Sequence, residues 1–258
     1  MSGLQGRRVV VTRQKNQAGG LAERLQAMGA TVLEVPAIDI VAPKDIGPLD
    51  EALESLDRYD WVVLTSANTV NAVLSRLTVL GLYPKLGSEK RRVASVGPAT
   101  TAALRSSFPE DRGVLEPKTD FRAAGLLDAF SKERLKGRRM LVPASSEARE
   151  ELAAGLRGMG AVVEVVAAYS TIEPPGLGEA VGRCLEQGFD LALFASPSAV
   201  EAFARSAGER AAGLPAAVIG PTTEAAARAA GLDVRGVASP STLEALVATA
   251  ARVLGDHS

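Results

Sequence analysis

The sequence predicts an α/β protein of two doubly wound parallel-sheet domains, flavodoxin-like and related by internal duplication. Three observations carry this expectation. At 258 residues the chain is long enough for two ordinary domains. Short β-branched runs alternate along it with apolar residues at helical spacing, the pattern of parallel strands buried between helices. Four segments then recur in the same order at a nearly constant offset.

The elements follow in chain order. Gly6–Arg13, GRRVVVTR, carries the first strand at Val9–Val11 and answers Gly137–Ala144, GRRMLVPA, at an offset of 131. A helix follows with Leu21, Leu25 and Met28 on one face and Gly29 as its stop; Leu152, Leu156, Met159 and Gly160 repeat that design. MGATVLEV at Met28–Val35 and MGAVVEVV at Met159–Val166, again 131 apart, end in the second strand of each copy. DWVVLTSANTV from Asp60 pairs with DLALFASPSAV from Asp190 at an offset of 130. ASVGPATTAAL from Ala94 pairs with AAVIGPTTEAA from Ala216, with the shared Gly-Pro displaced by 123. Order is kept and spacing drifts only in loops. The period is far too long for a solenoid, so a whole small domain is duplicated. Pro36–Pro48 and Thr171–Gly178 follow the second strand of each copy and are the expected linkers. Ser145 and Ser146 are expected to cap a helix starting at Glu147. Aromatics make up only 4% and alanines are many, which suits helices packed closely on both faces of an open sheet.

Composition narrows the function. Hydrophobic residues at 47% and charged residues at 23% are those of a soluble globular protein. Lys+Arg at 29 against Asp+Glu at 30 leaves a net charge of −1, so no basic field favours nucleic acid or anionic lipid. An anionic ligand would have to be held locally. No apolar run approaches the roughly 18 residues of a membrane helix. MSGLQGRRVVVTR has too short an apolar stretch for a signal peptide, so a cytoplasmic protein is expected. The single cysteine, Cys184, excludes an internal disulfide and a cysteine metal cluster. The single histidine, His257, sits one residue from the end, where chains fray. A Ser-His-Asp triad, a Cys-His pair and a histidine metal site are therefore not expected.

Chemistry is looked for where open parallel sheets bind ligands, beyond the carboxyl ends of the strands. Thr65, Ser66 and Asn68 follow WVVL; Ser196, Pro197 and Ser198 follow LALF. Gly97, Pro98 and Thr100 follow VASV; Gly220, Pro221, Thr222 and Thr223 follow AAVI. Such residues begin helices, and each turn offers unpaired backbone N–H groups at a positive helix end, suited to carboxylate or phosphate. Any strand-to-helix turn needs a cap, so one turn alone says little. Two duplicated pairs facing a common cleft would say more. Neither GxxxxGK[ST] nor GxGxxG occurs, which disfavours phosphoryl and hydride transfer. Arg13 ends the first strand and reads equally as a carboxylate anchor or as a solvated strand-end arginine. Its repeat partner is Ala144. Tyr169, in VVAAYSTIEPP, reads as packing at a domain junction or as a proton or hydrogen-bond donor. It departs from the duplication, whose other copy has Ile38 in the matching stretch.

These residues together resemble the uroporphyrinogen-III synthase family. The shared elements are VVVTR, DWVVLTSANTV, VGPATTAAL, the strand ending in Tyr169 with prolines after it, FASPSAV and IGPTTEAAA, in the family's order over nearly the whole chain. The resemblance implies two α/β domains joined by a two-stranded linker, one from residues 1–35 with 172–258 and the other from 36–171. Repeat counting alone would instead suggest consecutive halves near 1–131 and 132–258. It implies a cyclising lyase acting on hydroxymethylbilane, which loses its terminal hydroxyl as water, inverts ring D through a spiro intermediate and closes to uroporphyrinogen III. Flexible linkers would let the cleft close on the floppy polycarboxylate. By motif match Tyr169 assists departure of the hydroxyl. Thr100, Thr222 and Thr223 match substrate-contacting turns, as do Ser66, Asn68, Ser196 and Ser198; Arg13, Thr65, Gly97 and Gly220 complete the expected substrate-binding set. Ala195, where a hydroxyl residue would mirror Thr65, and Pro98, which lacks a backbone donor, depart from the pattern. No metal or organic cofactor is implied. A monomer is expected, with hydroxymethylbilane synthase as candidate supplier of its substrate. The competing reading is a non-catalytic two-domain cleft protein that binds a polyanionic small molecule.

Overall fold

The computed structural model describes residues 3–13, 20–82, 92–107 and 113–255. The terminal His257 lies outside them. Ten strands and ten α-helices alternate along the described residues, and the strands gather into two sheets. The chain divides into two compact units: Met1–Asp39 with Ile172–Ser258, and Ile40–Thr171.

The first unit holds β1 (Arg8–Val11), β2 (Thr31–Glu34), β8 (Leu191–Phe194), β9 (Pro215–Val218) and β10 (Asp233–Val237), in the order β10-β9-β8-β1-β2. Every pairing in it is parallel. This is the flavodoxin-like order, with its reversal between β1 and β8. The second unit's sheet runs β3-β7-β6-β4-β5, from β3 (Asp39–Val41), β7 (Val162–Ile172), β6 (Arg139–Ser145), β4 (Trp61–Leu64) and β5 (Arg92–Ser95). β4 pairs in parallel with β5 and β6, and β6 with β7.

Set beside the repeat, the two orders are equivalent strand for strand: β2-β1-β8-β9 matches β7-β6-β4-β5. Each unit therefore takes its opening strand–helix–strand from one repeat and its later strands from the other. Alternate strand residues pack to opposite faces, as the period of two demands. Val10, Ala192 and Phe194 enter a core with α7 (Leu177–Gln187) and α8 (Pro197–Ala207). Val9, Val11, Leu191 and Leu193 enter another with α1 (Leu21–Ala27) and α10 (Leu243–Gly255). In the second unit Val62, Leu64 and Leu141 meet α2 (Gly47–Glu54), α3 (Ala67–Val79) and α4 (Pro98–Ser107). Trp61, Val63 and Met140 meet α5 (Ala123–Phe130) and α6 (Glu151–Gly158).

The helix stops fall where the sequence puts them. Gly29 and Gly160 take φ of 92° and 88°, a region glycine enters at no steric cost. In both, the next N–H reaches back to a carbonyl of the last turn: Ala30 to Leu25 at 3.1 Å, Ala161 to Leu156 at 3.2 Å. One local expectation is corrected. The helix after β6 starts at Glu151, not Glu147, because β6 runs on to Ser145 beside Tyr169 and the Ser146 N–H donates to the Tyr169 carbonyl at 2.8 Å. Ser145 Oγ instead accepts the Glu147 N–H at 3.3 Å, closing a turn.

Arg76 on α3 clamps Asp50 on α2 with two nitrogens, and these hydrogen bonds hold the Asp50 carboxyl below the usual carboxylate range. A carboxyl depressed by folding adds stability above its unfolded value, near 3.9, and loses it as pH falls through the folded value. Asp50→Asn is therefore expected to lower neutral-pH stability and flatten the acid limb of a pH–melting curve. An acid limb identical to wild type would remove the pair from the stability account.

Candidate functional site

In the second unit the chain order reverses between β6 and β4, so their carboxyl ends frame the crevice where such sheets place ligands. Just beyond β4, Ser66 turns extended, φ −163° and ψ 163°, and its Oγ accepts the Thr69 N–H at 3.1 Å, capping α3. Asn68 sits half-buried on that helix's first turn. Tyr169 arrives from β7, where the register with β6 slips after Ala144 and brings Ser145 opposite the tyrosine. Its phenolic oxygen lies 3.4 Å from Ser66 Oγ. Two further hydroxyls continue from the serine: Thr69 Oγ1 at 3.0 Å from Ser66 Oγ, and Thr65 Oγ1 at 3.3 Å from Thr69 Oγ1.

The neighbouring turn is tied to the same edge by the Val96 N–H, which donates to the Leu64 carbonyl at 3.1 Å. Gly97 is buried under Phe121, whose Cβ would stand 2.9 Å from a side chain placed there. Packing alone thus accounts for a glycine at that position. Thr100 is only 3% exposed and its N–H donates to the Gly97 carbonyl at 3.0 Å, so the exposed residues of this turn are Pro98 and Ala99. Sequence reasoning missed the polar knot beneath it. Ser95 Oγ is 2.5 Å from Thr101 Oγ1, and Thr101 also donates to Glu116. No spacing signal links Glu116 to that turn; only the bridge between Ala94 and Leu115 brings it there. A mainly apolar cavity of about 260 Å³ opens at the same edge, lined by Thr65, Val96, Val142, Ala144, Arg149 and Leu152 among others.

In the first unit the crevice lies between β1 and β8, joined at their ends by the buried Thr12 Oγ1, which donates to the Leu193 carbonyl at 2.8 Å. Arg13 follows, half-buried, and burial pushes its guanidinium below its ordinary value. It borders a cavity of about 310 Å³ that Glu23 and Glu34 also line, so only its guanidinium side would welcome a carboxylate. Ser196 caps α8 through the Ala199 N–H at 3.2 Å, with Ser198 Oγ 3.2 Å away. Gly220 precedes α9 (Pro221–Ala229), close to Ser241. Thr222 is exposed and Thr223 only 2% exposed.

Thr65, Ser66, Asn68, Gly97, Thr100 and Tyr169 thus share one sheet edge in the second unit. Arg13, Ser196, Ser198, Gly220, Thr222 and Thr223 occupy the equivalent edge of the first. Only the second edge carries a phenol. Among the described residues no group of three His, Cys, Asp or Glu side chains is placed to hold a metal ion, and no helix is long and apolar enough to cross a membrane.

The sequence model of the family described as "Uroporphyrinogen-III synthase HemD" matches residues 20–248. The chain belongs to the uroporphyrinogen-III synthase family. A uroporphyrinogen-III synthase from Synechococcus elongatus is 31% identical over 202 residues, 78% of this chain and 74% of the relative. Among solved structures, a mutant uroporphyrinogen III synthase from the extremely thermophilic bacterium Thermus thermophilus superposes with a TM-score of 0.67 at 17% identity, covering 98% of this chain and all (100%) of that one. The Helicobacter pylori uroporphyrinogen-III synthetase gives 0.59 at 18% identity, covering 96% and 99%. At these identities the superpositions speak for the two-domain α/β fold. As a uroporphyrinogen-III synthase the chain is an enzyme of porphyrin biosynthesis, a cyclising lyase of a family that acts on hydroxymethylbilane. The non-catalytic alternative is not favoured.

Proposed function

We propose that the chain closes hydroxymethylbilane to uroporphyrinogen III with Tyr169 as the group that assists departure of the terminal hydroxyl. The observation that carries this is the 3.4 Å approach of the Tyr169 hydroxyl to the capping Ser66 at the carboxyl edge of the second sheet. The pyrrole nitrogen pushes the hydroxyl out and the phenol supplies the proton that makes it water. The proton lost from the ring D carbon at closure restores the balance.

The rest of the task is orientation, because closure at the unsubstituted carbon gives the type I isomer unaided. Helix starts at Ser66–Asn68, Gly97–Thr100, Ser196–Ser198 and Gly220–Thr223 supply amide donors for the acetate and propionate groups, and Arg13 supplies a guanidinium. With Thr100 and Thr223 buried, the exposed residues of those two turns are Pro98 and Ala99, and Pro221 and Thr222. We assign residues 1–35 with 172–258 and residues 36–171 to the two domains, and the passages near Asp39 and Thr171 to a two-stranded linker. The enzyme acts as a cytoplasmic monomer taking its substrate from hydroxymethylbilane synthase.

The test is product analysis. Hydroxymethylbilane is generated in situ with and without the protein, and the oxidised uroporphyrins are separated by chromatography. A protein-dependent shift to type III is expected; an unchanged type I product from folded protein would reject the reading.

A further inference from the structure

The duplication supplies a control within the molecule. α3 and α8 are equivalent helices, and each is capped by an equivalent serine, Ser66 and Ser196, accepting the N–H three residues on at 3.1 and 3.2 Å. The cap is thus made in both copies without a threonine or a tyrosine being needed. Around Ser66 stand three more hydroxyls, Thr65, Thr69 and Tyr169. Their counterparts at the repeat offsets are Ala195, Ala199 and Ile38, which carry none. Capping and packing do not explain the difference, since the other copy builds the same turn with Ala195 and Ala199 and sets the hydroxyl of Ser198, the counterpart of Asn68, 3.2 Å from Ser196 Oγ.

We propose that Thr65 and Thr69 are positioning residues that set the direction of the hydrogen bond between Ser66 and Tyr169. This rests on the catalytic reading of Tyr169. A serine hydroxyl has one hydrogen and two lone pairs. One lone pair of Ser66 is taken by the Thr69 N–H. If the Thr69 hydroxyl donates to the other, both are filled and the serine's own hydrogen must go to the Tyr169 oxygen. The phenol then receives a hydrogen bond and keeps its proton free for the substrate. Thr65, 3.3 Å from Thr69 Oγ1, donates into the threonine from behind and holds that orientation. The four hydroxyls form a chain in which every donor points towards Tyr169, and each bond polarises the next. Without Thr69 the second lone pair of Ser66 is open, and the phenol donates its proton to the serine instead.

Thr69 is fully buried, so valine fits the space and removes only the hydroxyl. Thr69→Val is expected to lower kcat about tenfold, the loss of roughly one hydrogen bond's worth of transition-state stabilisation, with KM and melting temperature close to wild type. Thr69→Ser is expected to restore kcat. In a Tyr169→Phe background the valine substitution should cost nothing more, because no phenol is left to orient. Wild-type turnover with an unaffected Thr69→Val variant would overturn the chain. So would a kcat loss that persists in the Tyr169→Phe background, or that serine does not repair. A wild-type protein yielding no type III product in the same assay would reject the synthase reading itself, and the orienting role with it.

Discussion

Tyr169→Phe is expected to slow formation of the type III product by about 10²-fold, the low end of what a positioned acid contributes. The low end applies because the pyrrole nitrogen already drives the hydroxyl out and the phenol only eases its departure. The substitution removes one oxygen from a half-buried ring packed against the core that holds Val166 and Ala168. Ring packing is kept, and the Ser66 cap on α3 does not depend on the phenol. Folding and substrate affinity should therefore hold while kcat falls. Product composition gives a second reading. Spontaneous closure to type I competes with the enzyme, so a slower enzyme releases a larger type I fraction at equal protein concentration. Binding is checked by equilibrium titration and the chemical step by single-turnover product analysis. Unchanged turnover would remove Tyr169 from the mechanism.

The position of this site is partly legible in the sequence. The strand-to-helix turns at Ser66, Gly97, Ser196 and Gly220 announce themselves, because small polar residues after a β-branched run have few other places to be. Tyr169 stands out for breaking the repeat. The contact between Tyr169 and Ser66, however, is made by a residue of β7 that lies just past a register slip with β6, and local sequence does not say which residue of the next strand such an irregularity will face. For the same reason local sequence places the helix after β6 four residues early: nothing nearby says that Ser145 and Ser146 extend a strand pair rather than start a helix. The Ser95–Thr101–Glu116 knot and the seat of Phe121 over Gly97 are long-range meetings with no fixed spacing. The asymmetry at Thr65 and Thr69, by contrast, is readable by laying DWVVLTSANTV over DLALFASPSAV. Its meaning needs the third hydroxyl, which comes from another strand.

The pairing of strands shows the limit most clearly. WVVL and LALF are interchangeable as buried parallel strands, so local sequence lets β1 pair equally with β4 or with β8. β1 pairs with β8, and each unit is completed by the other repeat. A large effect is expected from this arrangement: residues 39–172 should fold alone, and residues 1–131, the whole first repeat, should not. Both cores of the second unit lie wholly within 39–172. The first repeat keeps β4 and β5 but loses Met140, Leu141, Val142, Leu152, Leu156 and Val166 from those cores. Six such side chains at roughly 1.5–3 kcal/mol each match or exceed the whole stability of an ordinary domain, about 5–15 kcal/mol. β1 and β2 fare no better, since Leu191, Leu193 and Phe194 are absent from the cores around them. Thermal melts followed by circular dichroism should show a cooperative transition for 39–172 and none for 1–131. A folded 1–131 fragment would mean that the repeat, not the exchanged unit, is the folding domain.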